Sequence, residues 1–169
     1  MNELNETRVI FFGASNVSAS TAKLAKQFGF QVLVLDTEQK RLDNPLFDGC
    51  EKLIVDFNDL GDLGITKDDM LCVITPGHTY DRQAFAYALK TPAFYVGMMG
   101  SAKKNAKCFT YALENGCTQA QLDAAYAPIG IDMDCCDADE IGLSIVCQLV
   151  KVHNEFYPRE LDHDKLHQE

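Results

Sequence analysis

The chain has 169 residues, 47% of them hydrophobic, and a formal net charge of −10. This is enough for one ordinary domain with a real core. The acidity excludes nucleic acid or an anionic membrane as the main partner, since both need a net or clustered basic surface, and any anionic ligand must be met by local charge.

The first residues, MNELNETRV, are polar and acidic where a signal peptide would be basic and then apolar. No apolar run approaches the roughly 18 residues of a membrane helix. A cytoplasmic protein is expected. Five short runs follow along the chain: RVIFF, FQVLVLD, KLIVDF, LCVITP and AFYVG. Each is apolar on both faces, which predicts five buried strands of a parallel sheet. After the first run comes GASNVS, residues 13–18, and Asp36 closes the second. This is an altered dinucleotide fingerprint, with Gly13 kept and Ser15 and Ser18 in the places of its second and third glycines. Gly13, Ser15, Asn16 and Asp36 are therefore candidates for binding NAD(P). The same residues are equally explained by a tight turn and a strand end.

The loop TPGHTYD, residues 75–81, follows the fourth run and offers His78 and Asp81 as its reactive side chains. Asp81 also reads as the cap of a helix over 81–89, with Ala84, Phe85, Ala88 and Leu89 on one face. Next comes YVGMMGSAKKN, residues 95–105. Gly97 and Gly100 would let a ligand approach the backbone, Ser101 would cap a helix over 101–115, and Lys103 and Lys104 stand in its first turn. Cations there are unfavourable for the helix itself. A bound phosphate, held by amides 99–102 and at least one of these lysines, would account for them; lysines that merely face solvent are the alternative. The expected buried stripe is Cys108, Phe109, Ala112 and Leu113, ended by Gly116. Thr118 and Gln121 form a capping-box pattern, and Asp137 with Glu140 forms another before a last helix that is apolar nearly all round from 141 to 152. The domain is expected to span 1–157, with a polar tail over 158–169.

Strands alternating with helices predict a doubly wound, mainly parallel α/β fold of Rossmann type, with the loops at Gly13, Thr75 and Gly97 gathered at one sheet edge. Seven cysteines, two of them (Cys72 and Cys147) inside apolar runs, give no disulfide framework. Cys135 and Cys136 are adjacent and lack a second cluster, so no zinc site and no other metal site is expected.

YVGMMGS together with APIGIDMDCCDADEIGLSI, residues 127–145, resembles the carboxyl-terminal domain of the XdhC/CoxI family, maturation factors of molybdenum hydroxylases such as xanthine dehydrogenase. TPGHTYD and GASNVS follow the family's order and spacing. The resemblance implies a Rossmann-type domain that binds the molybdenum cofactor (molybdopterin, a pterin with a phosphate). It also implies a non-catalytic chaperone role in cofactor sulfuration and insertion. The implied partners are an apo molybdenum hydroxylase, together with a cysteine desulfurase or a separate amino-terminal XdhC-type subunit, because the family's amino-terminal domain has no counterpart here; a homodimer is left open. On this reading Asp132 would accept from the amino and amide edge of the pterin, or simply cap a turn.

The departures are Ser15, Asn16 and Ser18 in the family's G-A-G-H-V-G, Pro76 in the histidine loop, Asp134 for a glycine, Asp137 and Ala138 for Thr-Pro, and Gln148 for a glutamate. Sulfur carriage by Cys135 and Cys136 is disfavoured, since Asp134 and Asp137 flank the pair and oppose a thiolate. Two other classes stay open: an NAD(P)- or nucleotide-binding enzyme or sensor, and an interaction domain that has lost its ligand.

Overall fold

Five runs of the chain pair into one parallel sheet in the spatial order β3-β2-β1-β4-β5 in the computed structural model, which describes residues 4–158. They are β1 (Arg8–Phe12), β2 (Gln31–Asp36), β3 (Glu51–Ile54), β4 (Met70–Val73) and β5 (Tyr95–Met98). The polar tail expected from 158 lies, beyond Pro158, outside the described residues. Register sets Val9 beside Val32 and Met70, and Ile10 beside Leu33 and Leu71, so every rung of the three central strands from Val9 to Phe12 is apolar throughout. Alternation along the strands then divides the core in two. Val9, Phe11, Val34 and Cys72 face α1 (Asn16–Gln27) and α6 (Ala138–Phe156). Ile10, Phe12, Leu35 and Val73 face α3 (Asp81–Leu89) and α4 (Ala102–Glu114). Two short helices, α2 (Gln39–Leu42) and α5 (Gln119–Asp123), complete the set.

The expectation of five buried strands needs one correction. All four residues of β3 are exposed, including Leu53 at 45% and Ile54 at 47%. No regular helix joins β3 to β4, so no crossover helix covers this edge strand. Its short length and the charges of Glu51 and Lys52 limit what it can pair with.

Helix starts follow local chemistry. Ser15 accepts from the Ser18 amide at 3.1 Å, and Thr118 with Gln121 forms the expected capping box. Asp137 accepts from both the Asp139 and Glu140 amides at 2.9 Å. The second half of that box is absent, because Glu140 reaches the Cys136 amide instead, at 2.5 Å. The last helix is not buried all round either, since Leu143 is 40% exposed.

The strand order reverses between β1 and β4, so the loops that follow them part company and leave a crevice at the carboxyl edge. Gly13 makes the turn out of β1 at φ 111°, with its amide on the Leu35 carbonyl at 2.8 Å. A β-carbon here would lie 2.6 Å from the Ile74 carbonyl oxygen and closer still to the Thr75 Cα. The glycine is therefore required by backbone meeting backbone. Gly13→Ala is expected to lower stability by about 2–4 kcal/mol, read as the shift in urea midpoint at unchanged slope.

Candidate functional site

Two large hollows flank residues 77–79, and His78 lines both. One, about 440 Å³, is a groove between α3 and α4. The other, about 570 Å³, lies between Gly100–Ser101 and the segment 128–135. His78 is held between them by unusual backbone: Gly77 at φ 62° and His78 at φ 58° are both left-handed, a conformation that a non-glycine residue keeps only when its surroundings enforce it. The enforcement comes from Asp81. Its Oδ1 accepts from the Thr75 amide at 3.0 Å and the Thr75 hydroxyl at 2.6 Å, while its Oδ2 lies 2.6 Å from His78 Nδ1.

The sequence reading of Asp81 as a helix cap is thus corrected. The cap position falls on Tyr80, and the Asp81 side chain, 4% exposed, turns inward. An ionised carboxylate only accepts, so His78 Nδ1 must donate, and the neutral ring then offers its Nε2 lone pair to the hollows. Asp81→Asn would set an amide NH₂ against one of these donors. An expected loss of about 2–3 kcal/mol in urea unfolding, with a change in the His78 ring ¹⁵N shifts, checks the arrangement.

The wall of the second hollow is built onto β5. The amide of Met98 donates to Tyr126 O at 3.0 Å and that of Ile129 donates to Met98 O at 2.9 Å, extending the sheet by an irregular rung. Gln148 fastens this rung from α6: its Oε1 accepts from Gly130 N at 2.9 Å and Tyr95 OH at 2.6 Å, and its Nε2 donates to Gly130 O at 3.1 Å. A glutamate could make only the first two bonds. Gly97, expected to open the way for a ligand, lies inside β5, where a β-carbon would press within 2.7 Å of Ile129 and the Tyr95 hydroxyl. Its bareness serves packing. Asp132 stands exposed on the rim of the hollow, and Asp134, where the family has glycine, adopts φ 50°.

At the start of α4, Ser101 occupies the cap position in extended backbone but makes no side-chain cap bond, contrary to expectation. The first intrahelical bond runs from Asn105 N to Ser101 O at 2.9 Å, and no acidic residue stands in the first turn. The Met99 amide, expected to serve a ligand, is taken by Val73 O at 3.0 Å. Lys103 lines neither hollow; Lys104 lines the groove, with Arg82 and Lys107. The buried face also differs: Leu113 is 44% exposed, whereas Asn105 is 3% exposed and shares its face with Cys108 and Ala112. The spacing 105, 108, 112 carries that signal, but a polar residue at its head hid it.

The first loop contributes less than expected to these hollows. Ser15 spends its hydroxyl on its cap, Ser18 donates to Ile74 O at 3.4 Å, and Asn16 is exposed at the first residue of α1. Asp36 is 1% exposed, accepting from Ala14 N at 2.8 Å, Glu38 N at 3.0 Å and Arg41 Nη1 at 3.0 Å. It borders a hollow of about 130 Å³, with Arg41 and Tyr80.

All seven thiols are free. Burial pushes those of Cys72, Cys108 and Cys117 upward, Cys72 farthest. With a thiol reagent near pH 8, exposed Cys136 should react first, and Cys72 only at the rate of global unfolding. Among the described residues no group of three or more His, Cys, Asp or Glu could hold a metal ion, and no helix is long and apolar enough to cross a membrane.

A doubly wound parallel sheet whose crevice is bordered by glycine-bearing loops and an Asp–His pair defines a Rossmann-type domain. The XdhC Rossmann domain matches residues 9–149, and the chain belongs to that family. It is 24% identical over 150 residues to the uncharacterised protein YqeB of Escherichia coli K12, covering 87% of this chain and 27% of YqeB. A Bacillus halodurans crystal structure described as a xanthine dehydrogenase superposes with a TM-score of 0.75 at 25% identity, over 89% of this chain and 45% of that one. The chain thus spans less than half of either relative. The protein chuY of E. coli CFT073, at 14% identity and TM-score 0.51 over 85% of this chain and 89% of that one, shares the fold alone.

Proposed function

We propose that this domain binds the molybdenum cofactor and acts as an accessory factor in maturing a molybdenum hydroxylase of the xanthine dehydrogenase type. Family membership and the B. halodurans likeness support the maturation role. The observation that carries the cofactor is the second hollow, where Gly100, Ser101, His78 and Asp132 converge around about 570 Å³ beside an uncapped helix start. The donor set fits a phosphorylated pterin. First-turn amides of α4 suit the phosphate, while Asp132 and His78 Nε2 suit the polar edges of the ring. The bound group would supply the molybdenum-centred oxidation–reduction of the client enzyme. This chain's residues bind it, orient it and shield it from water. Sulfuration of the cofactor and its transfer to the apo hydroxylase would then occur with the cofactor held here.

An NAD(P)-binding enzyme or sensor is the second reading. It would need Asp36 to meet a ribose hydroxyl, yet both Asp36 oxygens already accept internal hydrogen bonds. Purification from a host that makes molybdopterin, followed by assay of released pterin and molybdenum, tests the proposal. Near-stoichiometric pterin is expected, with His78→Ala binding it about tenfold more weakly in equilibrium titration, a loss worth about one good hydrogen bond to a charged or polar partner. Absence of pterin with nucleotide in its place would transfer the function to the second reading.

A further inference from the structure

Asn105 is 3% exposed, and neither its Oδ1 nor its Nδ2 has a hydrogen-bond partner among the described residues. A shut-in carboxamide with both ends unpaired is a cost that folding alone does not explain. Its neighbours on the buried face of α4, Cys108 and Ala112, are small or apolar, so a leucine would meet the packing requirement. The amide lies at the junction of the two hollows. It lines the groove between α3 and α4, and its Oδ1 rests against the place that a β-carbon on Gly100 would take, while Gly100 itself lines the second hollow. Only a bare turn separates it from that space. Arg82, Lys104 and Lys107 line the same groove, against Glu114 and the already hydrogen-bonded Asp81. The junction is therefore locally basic in a chain of net charge −10.

We propose that Asn105 is a ligand-recognition residue for the phosphomonoester of a heterocycle that carries a hydrogen-bond donor beside an acceptor on one edge. Nδ2 donates to the ring acceptor and Oδ1 accepts from the ring N–H, as two amides pair. The phosphate meets Lys104, Lys107, Arg82 and the first-turn amides of α4. Pterin and purine phosphates share this chemistry. The choice of pterin rests on the cofactor-binding reading above; the pairing by Asn105 does not.

The test is calorimetric titration of wild type and Asn105→Leu with three probes: molybdopterin handled without oxygen, GMP, and ribose 5-phosphate, which keeps the phosphate and lacks the ring. Wild type should bind at least one heterocycle about tenfold or more tighter than ribose 5-phosphate. Asn105→Leu should lose that advantage, bind ribose 5-phosphate within about twofold of wild type, and unfold without ligand at a midpoint no lower than wild type, since two unpaired polar atoms have gone. Unchanged heterocycle binding by the leucine variant overturns the proposal, as does failure of wild type to bind either heterocycle. So does a ligand-free midpoint that drops by more than about 4 °C, or a variant that cannot fold, because the amide would then be satisfied within the fold. Independently of any variant, the Asn105 side-chain NH₂ resonances of wild type must move on adding the tighter heterocycle, and resonances that stay in place overturn the assignment. Tighter binding of molybdopterin identifies the pterin source. Binding of GMP with none of molybdopterin would end the cofactor reading and leave the role of Asn105 standing.

Discussion

The site depends on one buried carboxylate. Asp81 draws the amide and hydroxyl of Thr75 to one oxygen and the ring of His78 to the other, across a loop of only seven residues. Burial makes the two Thr75 bonds strong and their loss costly, because no water can substitute, while the bond to half-buried His78 faces the hollows. The end of β4 is thereby tied to the first turn of α3, and the two left-handed residues between them have nowhere to relax. Thr75 is also the residue against which Gly13 is pressed. The loops after β1 and β4 are therefore fixed together, and the position of His78 follows from the sheet.

Charge is used sparingly around this frame. In a molecule with 25 acidic and 15 basic residues, three of the cations line one groove. Long-range attraction of an anion is weak for such a protein, and screening weakens it further beyond roughly 8–10 Å. Affinity must come from donors at contact distance. The uncapped start of α4 is such a donor set, whereas the start of α1 is occupied by its own Ser15.

The sheet was legible because its strands are apolar on both faces, which only a parallel sheet covered by helices requires. β3 broke that rule: KLIVDF has the right residues, but whether helices cover a strand depends on the connection after it, and residues 55–69 carry no helical pattern that would have announced their absence of cover. Gly97 and Gly100 were read as openings and Gly13 as a fingerprint glycine or a tight turn, and their roles divided. Gly13 and Gly97 are filled by protein atoms, a fact set by neighbours distant in sequence. His78, Gly100, Ser101 and Asp132 do gather around one hollow, since loop order after parallel strands fixes which loops meet. Asn105 was missed because the expected stripe was apolar by assumption. Of the two readings of Asp81, loop side chain beside His78 and helix cap, the cap fell away because its partners were the strand end and the histidine.

The Gln148 clamp has a mechanical consequence. A carboxamide bonded to both the N–H and the C=O of Gly130 acts as a substitute peptide unit, so helix α6 is effectively part of the ladder that borders the hollow. The same helix lies hard against α1, where Gly142 leaves room for Ser20 and Thr21, and Asp139 takes the Ser20 hydroxyl. The wall of the hollow is thereby tied through Gln148 to α6, and through α6 to α1. A displacement of α6 at Gln148 would therefore shift the Gly130 backbone that borders the hollow, with no flexible side chain between to absorb it.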